Sequence, residues 1–229
     1  MGHDVRDRLL FWNKSQFRRG AVVINLGILI SGRGSNMAAI LLALQRHIIK
    51  NMRPTIVISD KVDAPGLRIA SEKFNVPVKA ILSDGSKGWE YDQKIASILD
   101  EYGVTRRRGL ICLAGFLRIA SPEFVRKYKM RIMNIHPSLL PAFPGLHAQK
   151  QAIEYGVKVT GCTVHFVDEG VDSGPIIAQK TVAIYDSDTE ETLSSRILRQ
   201  EHRLYTKCVR LFAEGKLLVK GRKVLIRSE

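Results

Sequence analysis

The pattern of hydrophobic and polar positions divides the chain into alternating strand-like and helix-like segments from about residue 25 onward. Short apolar runs bounded by turn residues are typical of buried strands, whereas apolar residues three or four positions apart are typical of amphipathic helices. We therefore predict strands at residues 24–31, 55–59, 78–81, 109–114, 129–135, 158–167 and 176–183. The predicted helices lie at residues 36–50, 65–74, 89–102, 122–128, 148–155 and 189–211.

The order of these segments predicts an α/β fold. Strands separated by helices indicate a mostly parallel, twisted sheet with right-handed crossovers and helices on both faces. Two successive strands at 158–167 and 176–183 predict a mixed sheet in the C-terminal part, and residues 217–226 predict a hairpin that turns at Lys220 and Gly221. Because no repeat or linker interrupts the pattern, we expect one domain over residues 25–229, preceded by a basic, loosely ordered extension over residues 1–24.

The composition is that of an ordinary soluble globular protein, with 45% apolar and 25% charged residues in a chain of 229. The three cysteines form no C-x-x-C pair and share no ligand spacing with the six histidines, which predicts reduced thiols, no metal site and a cytoplasmic protein. No apolar run approaches the roughly 18–20 residues of a transmembrane helix. We therefore expect no membrane partner.

The formal charge of +14 raises the question of nucleic-acid binding. Basic residues are scattered along the chain, with local clusters at 106–108 and 216–227, and none of the common DNA- or RNA-binding signatures is present. We interpret the charge as solvated surface with some attraction for anionic small substrates. A nucleic-acid-binding module remains an alternative.

Residues 134–147, NIHPSLLPAFPGLH, carry the most informative chemistry. Residues i and i+2 of a strand point to the same face, so Asn134 and His136 should project together from the end of a strand, where open α/β sheets place their ligand crevice. Asp172 lies in a turn-rich segment after a later strand. An amide, an imidazole and a carboxylate suit acyl or formyl transfer, because they can hold an oxyanion and handle protons. The alternative is that these side chains only cap turns.

Two glycine-containing turns follow predicted strands. SGRGSN at 31–36 leads into a helix, and such a turn can bind phosphate through backbone amides and the helix N-terminus. It lacks the third glycine of a dinucleotide-binding motif and the Gly-Lys-Ser/Thr of an ATP-type loop, so a monophosphate fits best. GFLRIA at 115–120 offers an apolar ledge with one arginine, which suits a flat anionic ligand. Each could also be a plain turn. We interpret the nearby His147 and His165 as hydrogen-bonded histidines rather than catalytic ones.

From about residue 25 to residue 212 the chain resembles the phosphoribosylglycinamide formyltransferase (glycinamide ribonucleotide transformylase) family of folate-dependent formyltransferases. The matching motifs are LISGRGSN, SDKVDAPGL, LAGFLRIASPEFV, MNIHPSLLPAFPGLHAQKQAIEYG, TGCTVHFVDEGVDSGPIIAQ and RQEH. The resemblance implies a Rossmann-like formyltransferase fold. It also implies transfer of a formyl group from 10-formyltetrahydrofolate to the amine of 5′-phosphoribosylglycinamide in purine (IMP) biosynthesis.

The resemblance assigns roles to individual residues. Asn134, His136 and Asp172 match the catalytic residues, and Gly34, Ser35, Asn36 and Glu201 match residues that hold the ribonucleotide. The folate site is implied at Leu117, Arg118, Ile119 and Ala120, together with Asn134.

One departure concerns an arginine that family members commonly carry shortly before the tyrosine matching Tyr91. Here the sequence reads Gly88-Trp89-Glu90, and Lys87 is the candidate replacement. A formyltetrahydrofolate deformylase or another formyltransferase with the same catalytic trio is the alternative function, and a monomer and a homodimer are equally compatible with the sequence.

Overall fold

The computed structural model describes residues 22–227. Residues 1–21 of the predicted extension lie outside this range. The described chain forms one nine-stranded sheet in the order β3-β2-β1-β4-β5-β6-β7-β9-β8. Its strands are β1 Ile24–Ile30, β2 Met52–Ser59, β3 Val78–Ala80, β4 Gly109–Leu113, β5 Ile132–His136, β6 Val159–Phe166, β7 Ile176–Ala183, β8 Leu217–Lys220 and β9 Lys223–Ile226. Its helices are α1 Ser35–Gln45, α2 Pro65–Arg68, α3 Gly88–Glu101, α4 Pro122–Lys127, α5 Ala148–Tyr155 and α6 Glu190–Ala213.

The sheet is parallel from β3 to β5 and mixed beyond it. The first five strands pair in parallel, whereas β6 runs antiparallel to both β5 and β7. The hairpin strand β9 pairs in parallel with β7. The α/β fold predicted from the sequence, including its mixed C-terminal part, is confirmed.

Strand β1 is the point at which the strand order reverses, because its sequence neighbour β2 lies on one side and β4 on the other. Loops after two strands that flank such a point diverge to opposite faces and leave a crevice at the carboxyl ends. The two glycine-containing turns follow β1 and β4. They contact each other there, since the Ser31 amide donates to the Gly115 carbonyl at 2.9 Å.

Two hydrophobic cores cover the two faces of the sheet. One core joins α1 and α6 to side chains such as Leu26 and Ile28 of β1, and the other joins α3 and α4 to residues such as Ile56 of β2. On the second face Gly27 leaves room for α3, because an added Cβ would lie 2.6 Å from Leu99 Cδ2. Of the described helices, none is long and apolar enough to cross a membrane.

Several predicted boundaries were wrong, two of them because a single residue adopts a left-handed backbone conformation. The helix predicted over 36–50 ends at Gln45, since His47 has a φ of 57° and the chain then turns into β2. The strand predicted from residue 129 begins at Ile132, since Met130 has a φ of 58°. Residues 65–74 form a short α-helix that widens into a π-helical turn at Ile69–Lys73. The terminal hairpin turns at Gly221 and Arg222, one residue later than predicted.

Tyr205 of α6 ties the helix to the ends of the two strands beside the crevice. Its fully buried hydroxyl lies 2.8 Å from the Met133 carbonyl oxygen and 3.1 Å from the Leu113 carbonyl oxygen. The single hydroxyl hydrogen is therefore shared between two acceptors, one on β4 and one on β5. This contact fixes the two strands directly beside Asn134.

We expect Tyr205→Phe to lower the free energy of unfolding by about 1–2 kcal/mol, the usual cost of removing a buried hydrogen-bonding partner. Urea unfolding followed by circular dichroism measures the change. Tyr155→Phe is the matched control, because Tyr155 is 79% exposed, and it should change stability by less than about 0.5 kcal/mol. Equal stability of the Tyr205→Phe variant and the native chain would contradict the assigned role.

Candidate active site

A cavity of about 540 Å³ occupies the crevice at the carboxyl ends of β1, β4 and β5. Its walls come from the turn after β1, the turn after β4, the end of β5, the loop after β6 and one side of α6. The structure brings all of the site residues predicted from the sequence to this cavity: Gly34, Ser35, Asn36, Leu117, Arg118, Ile119, Ala120, Asn134, His136, Asp172 and Glu201.

Asn134, His136 and Asp172 meet in the middle of this cavity. Asn134 and His136 lie two residues apart on β5. Both contact the carboxylate of Asp172, which lies in the loop after β6. Asn134 Nδ2 lies 3.4 Å from Asp172 Oδ1, and His136 Nδ1 lies 3.2 Å from Asp172 Oδ2. The shared strand face predicted from the i, i+2 spacing is what lets one carboxylate contact both side chains.

The ring of His136 is held between two acceptors. Its Nε2 lies 2.9 Å from the Phe143 carbonyl oxygen, while its Nδ1 faces Asp172. A neutral imidazole can donate to one acceptor only, whereas an imidazolium donates from both nitrogens. In either form the ring cannot rotate without losing its contact to one of these two acceptors.

Asp172 has the electrostatic environment of an ionised carboxylate. Burial acts to raise the pKa of its carboxyl, but hydrogen bonds from His165 and the Gly145 amide, together with the charge on His136, hold the pKa below its usual value. The Gly145 amide donates to Asp172 Oδ2 at 2.8 Å. This bond closes the proline-rich loop between β5 and α5 over the site.

His165 also belongs to this cluster, although its sequence context is that of a hydrogen-bonded core histidine. It is paired with Asn134 across the antiparallel β5–β6 ladder. Its Nε2 lies 3.3 Å from Asn134 Nδ2 and 3.7 Å from Asp172 Oδ1. Only the register of these two strands reveals the contact, and the alternation in GCTVHF shows the face of the strand but not its register.

The turn after β1 opens α1 with uncapped backbone amides. Gly34 adopts a left-handed conformation with a φ of 67°, and no described side chain caps the helix that begins at Ser35. An added Cβ on Gly34 would lie 3.1 Å from the Gly66 Cα. Glycine is thus required by both conformation and space, and the free amides create a positive pole that attracts an anion.

Glu201 of α6 closes the cavity beside this turn. Asn36 Nδ2 donates to Glu201 Oε2 at 2.8 Å, and the pair is buried. Burial raises the pKa of Glu201, and the hydrogen bond from Asn36 offsets only part of that rise. Asn36 Oδ1 is buried without a hydrogen-bond partner among the described residues. The pair therefore offers acceptors that suit a ligand rich in hydroxyl or amine donors.

The turn after β4 forms the other wall of the cavity. The Leu117 amide donates to Ser31 Oγ at 2.9 Å, which fixes this wall to the turn after β1. The Ile119 side chain is 76% exposed. Behind it, the Arg118 guanidinium lies 3.8 Å from the centroid of the Tyr91 ring. An apolar surface beside a planar cation suits a flat ligand with negative charge.

The described residues offer no metal site and no activated thiol. No group of three or more His, Cys, Asp or Glu side chains in residues 22–227 could hold a metal ion. The three cysteines, Cys112, Cys162 and Cys208, are buried, and burial raises the pKa of each thiol to about 12. At neutral pH these thiols are therefore protonated and poor nucleophiles.

Comparison with known proteins gives concordant matches. The sequence profile described as "Formyl transferase" matches residues 24–209. Phosphoribosylglycinamide formyltransferase of Escherichia coli is 40% identical over 194 residues, which cover 85% of this chain and 89% of that protein.

A larger relative and a solved structure match as well. Trifunctional purine biosynthetic protein adenosine-3 of Gallus gallus is 43% identical over 86% of this chain, and the chain spans only 19% of that relative. The crystal structure of glycinamide ribonucleotide transformylase 1 from Symbiobacterium toebii is 47% identical with a TM-score of 0.85, covering 90% of this chain and 95% of that one.

We expect Glu201→Gln to stabilise the protein in a pH-dependent way. The folded-state pKa of Glu201 lies above its ordinary value of 4.5, so the native state loses stability as the pH rises from about 4.5 through the folded-state pKa. Glutamine accepts the Asn36 hydrogen bond without carrying a buried charge. The variant should therefore gain stability over the native chain at pH 7.5 and lose that gain near pH 4.5.

Urea unfolding at the two pH values measures this difference. Glu72→Gln is the control, because Glu72 is exposed and belongs to none of the ion pairs among the described residues. Its replacement should therefore give the same offset at both pH values. If the stability difference for Glu201→Gln were the same at both pH values, burial would not be destabilising the ionised form of Glu201.

Proposed function

This chain belongs to the formyl transferase family and, within it, to the phosphoribosylglycinamide formyltransferases, and from that membership we propose its reaction. The proposed reaction transfers the formyl group of 10-formyltetrahydrofolate to the amine of 5′-phosphoribosylglycinamide, a step of purine (IMP) biosynthesis. The observation that carries the proposal is the position of the Asn134–His136–Asp172 cluster, between an anion-binding helix end and an apolar ledge in one cavity. Two different ligands can thus reach the same reacting centre.

In the proposed reaction the substrate amine is the nucleophile. It attacks the formyl carbon, and the carbonyl oxygen becomes an oxyanion. The attacking nitrogen then loses a proton, and the carbonyl re-forms as the bond to the folate nitrogen breaks and that nitrogen gains a proton. No covalent enzyme intermediate is needed, because a neutral amine is already nucleophilic, and this agrees with the protonated, buried thiols. The work of the protein is to align two reactants and to stabilise the oxyanion.

We assign oxyanion stabilisation to Asn134 and His136. The amide of Asn134 carries two hydrogens, and both of its contacts, to Asp172 at 3.4 Å and to His165 at 3.3 Å, are long. In the proposed complex, one of these hydrogens would donate to the formyl oxygen instead. His136, as an imidazolium or as a neutral donor, would help to stabilise the charge at the same place.

Asp172 would serve as the acceptor that keeps His136 charged and Asn134 oriented. Its lowered pKa means that it is ionised at neutral pH. A carboxylate in this position could also pass a proton through water to the leaving folate nitrogen.

The ribonucleotide would bind along the turn after β1. Its phosphate suits the uncapped amides at Gly34, Ser35 and Asn36. Its hydroxyl and amine groups are donors, and they would satisfy Glu201 and the unpartnered Asn36 Oδ1. The buried carboxylate accepts a hydrogen bond from Asn36 and would gain further donors in the complex, which supports a role in binding.

The folate would bind along Leu117, Arg118, Ile119 and Ala120, with Asn134 at its formyl end. The backbone of this turn lines the cavity and its apolar side chains form a ledge for a flat ring. Arg118 lies over Tyr91, near the position where the expected family arginine is absent. The proposed ligands are small molecules, and we propose a cytoplasmic enzyme that acts as a monomer or homodimer without nucleic acid.

A formyltetrahydrofolate deformylase is the second candidate, because hydrolysis could use the same trio with water as the nucleophile. The decisive experiment measures tetrahydrofolate release from 10-formyltetrahydrofolate with and without 5′-phosphoribosylglycinamide. We expect release to require the ribonucleotide and formylglycinamide ribonucleotide to form in equal amount. Release of formate without the ribonucleotide would support the deformylase instead.

We expect Asn134→Ala and His136→Ala each to lower turnover by about 100-fold or more, since each loses a donor to the oxyanion. Steady-state kinetics of the purified variants measures the loss. Asn25→Ala is a matched control, because Asn25 is a buried, hydrogen-bonded asparagine at the opposite end of the sheet. It should lose stability but keep turnover within about twofold, since a residue outside the site does not contact the reacting atoms. Near-normal turnover of either site variant would refute the assigned role.

We expect Ser35→Asp to raise the KM for the ribonucleotide by about tenfold or more and to leave the KM for the folate within about twofold, since a carboxylate at the helix N-terminus repels a phosphate. Ser97→Asp, at an exposed position of α3, makes the same change in net charge far from the turn. It should affect neither KM. Equal increases in both KM values for Ser35→Asp would mean that this turn does not bind phosphate.

A further inference from the structure

A second cavity, of about 510 Å³, lies at the opposite end of the sheet from the catalytic cluster. Arg131 and Met130 line it from the residues just before β5, whereas His136 is the last residue of that strand. Five residues of strand separate the two positions by roughly 16 Å. The cavity is therefore distinct from the site already described, and we call it the cationic cleft.

The cationic cleft combines an apolar floor with a positive rim. The floor consists of Phe166 and Phe212, whose ring centroids are 6.3 Å apart, with Leu217 and Val219 of β8 beside them. Arg106, Lys129 and Arg131 form the rim. The Arg131 guanidinium lies 5.3 Å from the centroid of the Phe212 ring, so charge and aromatic surface are directly adjacent.

The three cations of the rim form no ion pair with an acidic side chain within residues 22–227. None of the ion pairs among the described residues involves Arg106, Lys129 or Arg131. The acidic Glu214 nearby pairs with Arg210 and Lys216 instead. Burial lowers the pKa of Arg131, and the positive charge of Arg106 lowers it further. Cations packed this closely around a cavity repel each other, and an anion between them would remove that repulsion.

We propose that the cationic cleft binds a small organic anion, namely a phosphate or carboxylate attached to an apolar, ring-sized body. The anionic group would lie among the three cations, and the apolar body would lie on the two phenylalanine rings. The N-terminal segment of the chain is not the proposed occupant, because its net charge is positive. Residues 1–21 contain five basic and two acidic residues. The proposal does not depend on the formyl-transfer reaction.

Methionine methyl NMR of the full chain can test the proposal with phenyl phosphate as the probe. Met130 lines the cationic cleft, whereas Met37 lies beside the phosphate-binding turn, within 3.0 Å of a Cβ placed on Gly34. A saturable chemical-shift change of the Met130 methyl signal reports binding in the cationic cleft. A shift of the Met37 signal alone reports binding in the catalytic cavity. We expect Met130 to move with phenyl phosphate, and inorganic phosphate to bind roughly tenfold more weakly because it buries no ring.

Two variants distinguish a specific binding site from general electrostatic attraction of the anion to a basic protein. Arg106→Met should weaken phenyl phosphate binding at Met130 by roughly tenfold, equivalent to about 1.4 kcal/mol. Arg107→Met is the matched control, because Arg107 is an exposed neighbour that does not line the cleft, and it should change the affinity less than about twofold. A Met130 signal that does not shift, or an equal loss of affinity in the two variants, would overturn the proposal. Thermal unfolding midpoints check that both variants are folded.

Discussion

The negative charge of Asp172 is the constraint around which the rest of the site is organised. The carboxylate is largely buried, and a buried charge is tolerated only when donors surround it. The groups around it come from three different parts of the chain: His136 and Asn134 on β5, His165 on β6, and the Gly145 amide in the proline-rich loop. Satisfying one carboxylate therefore fixes the orientation of Asn134 and His136 and the path of the loop that encloses them.

The sheet provides the rigid frame that this cluster needs. The strand order reverses between β1 and β4, so the turns after these two strands form opposite walls of the cavity, and the bond from Leu117 to Ser31 holds those walls together. Tyr205 contributes from the other side by joining α6 to β4 and β5. The same helix carries Glu201, so its packing positions that carboxylate and the strand of Asn134 and His136 together. Sites held on packed strands and helices keep their geometry more precisely than sites held on loops alone.

The sequence was sufficient to predict the elements of the fold and the residues of the cavity, but not their contacts. The spacing of Asn134 and His136 predicted a shared strand face, and that prediction follows from the two-residue period of any strand. The contact of His165 with Asn134 depends on the antiparallel register, which no local pattern encodes. The left-handed residue His47 ended a helix earlier, and the left-handed residue Met130 began a strand later, than their apolar neighbours indicated. Helical and strand periodicities describe which side chains are buried, whereas single backbone dihedrals decide where an element stops.

The hydrogen bond between Asn36 and Glu201 joins residues 165 positions apart, and this separation bears on how the protein is made. A ribosome adds about 5–20 residues per second, so Asn36 exists for roughly 8–33 s before Glu201 is synthesised. During that time the early strands can pair, but the cavity lacks its last wall and its buried acceptor. The cavity is therefore completed late, when α6 docks against the strands that precede it along the chain.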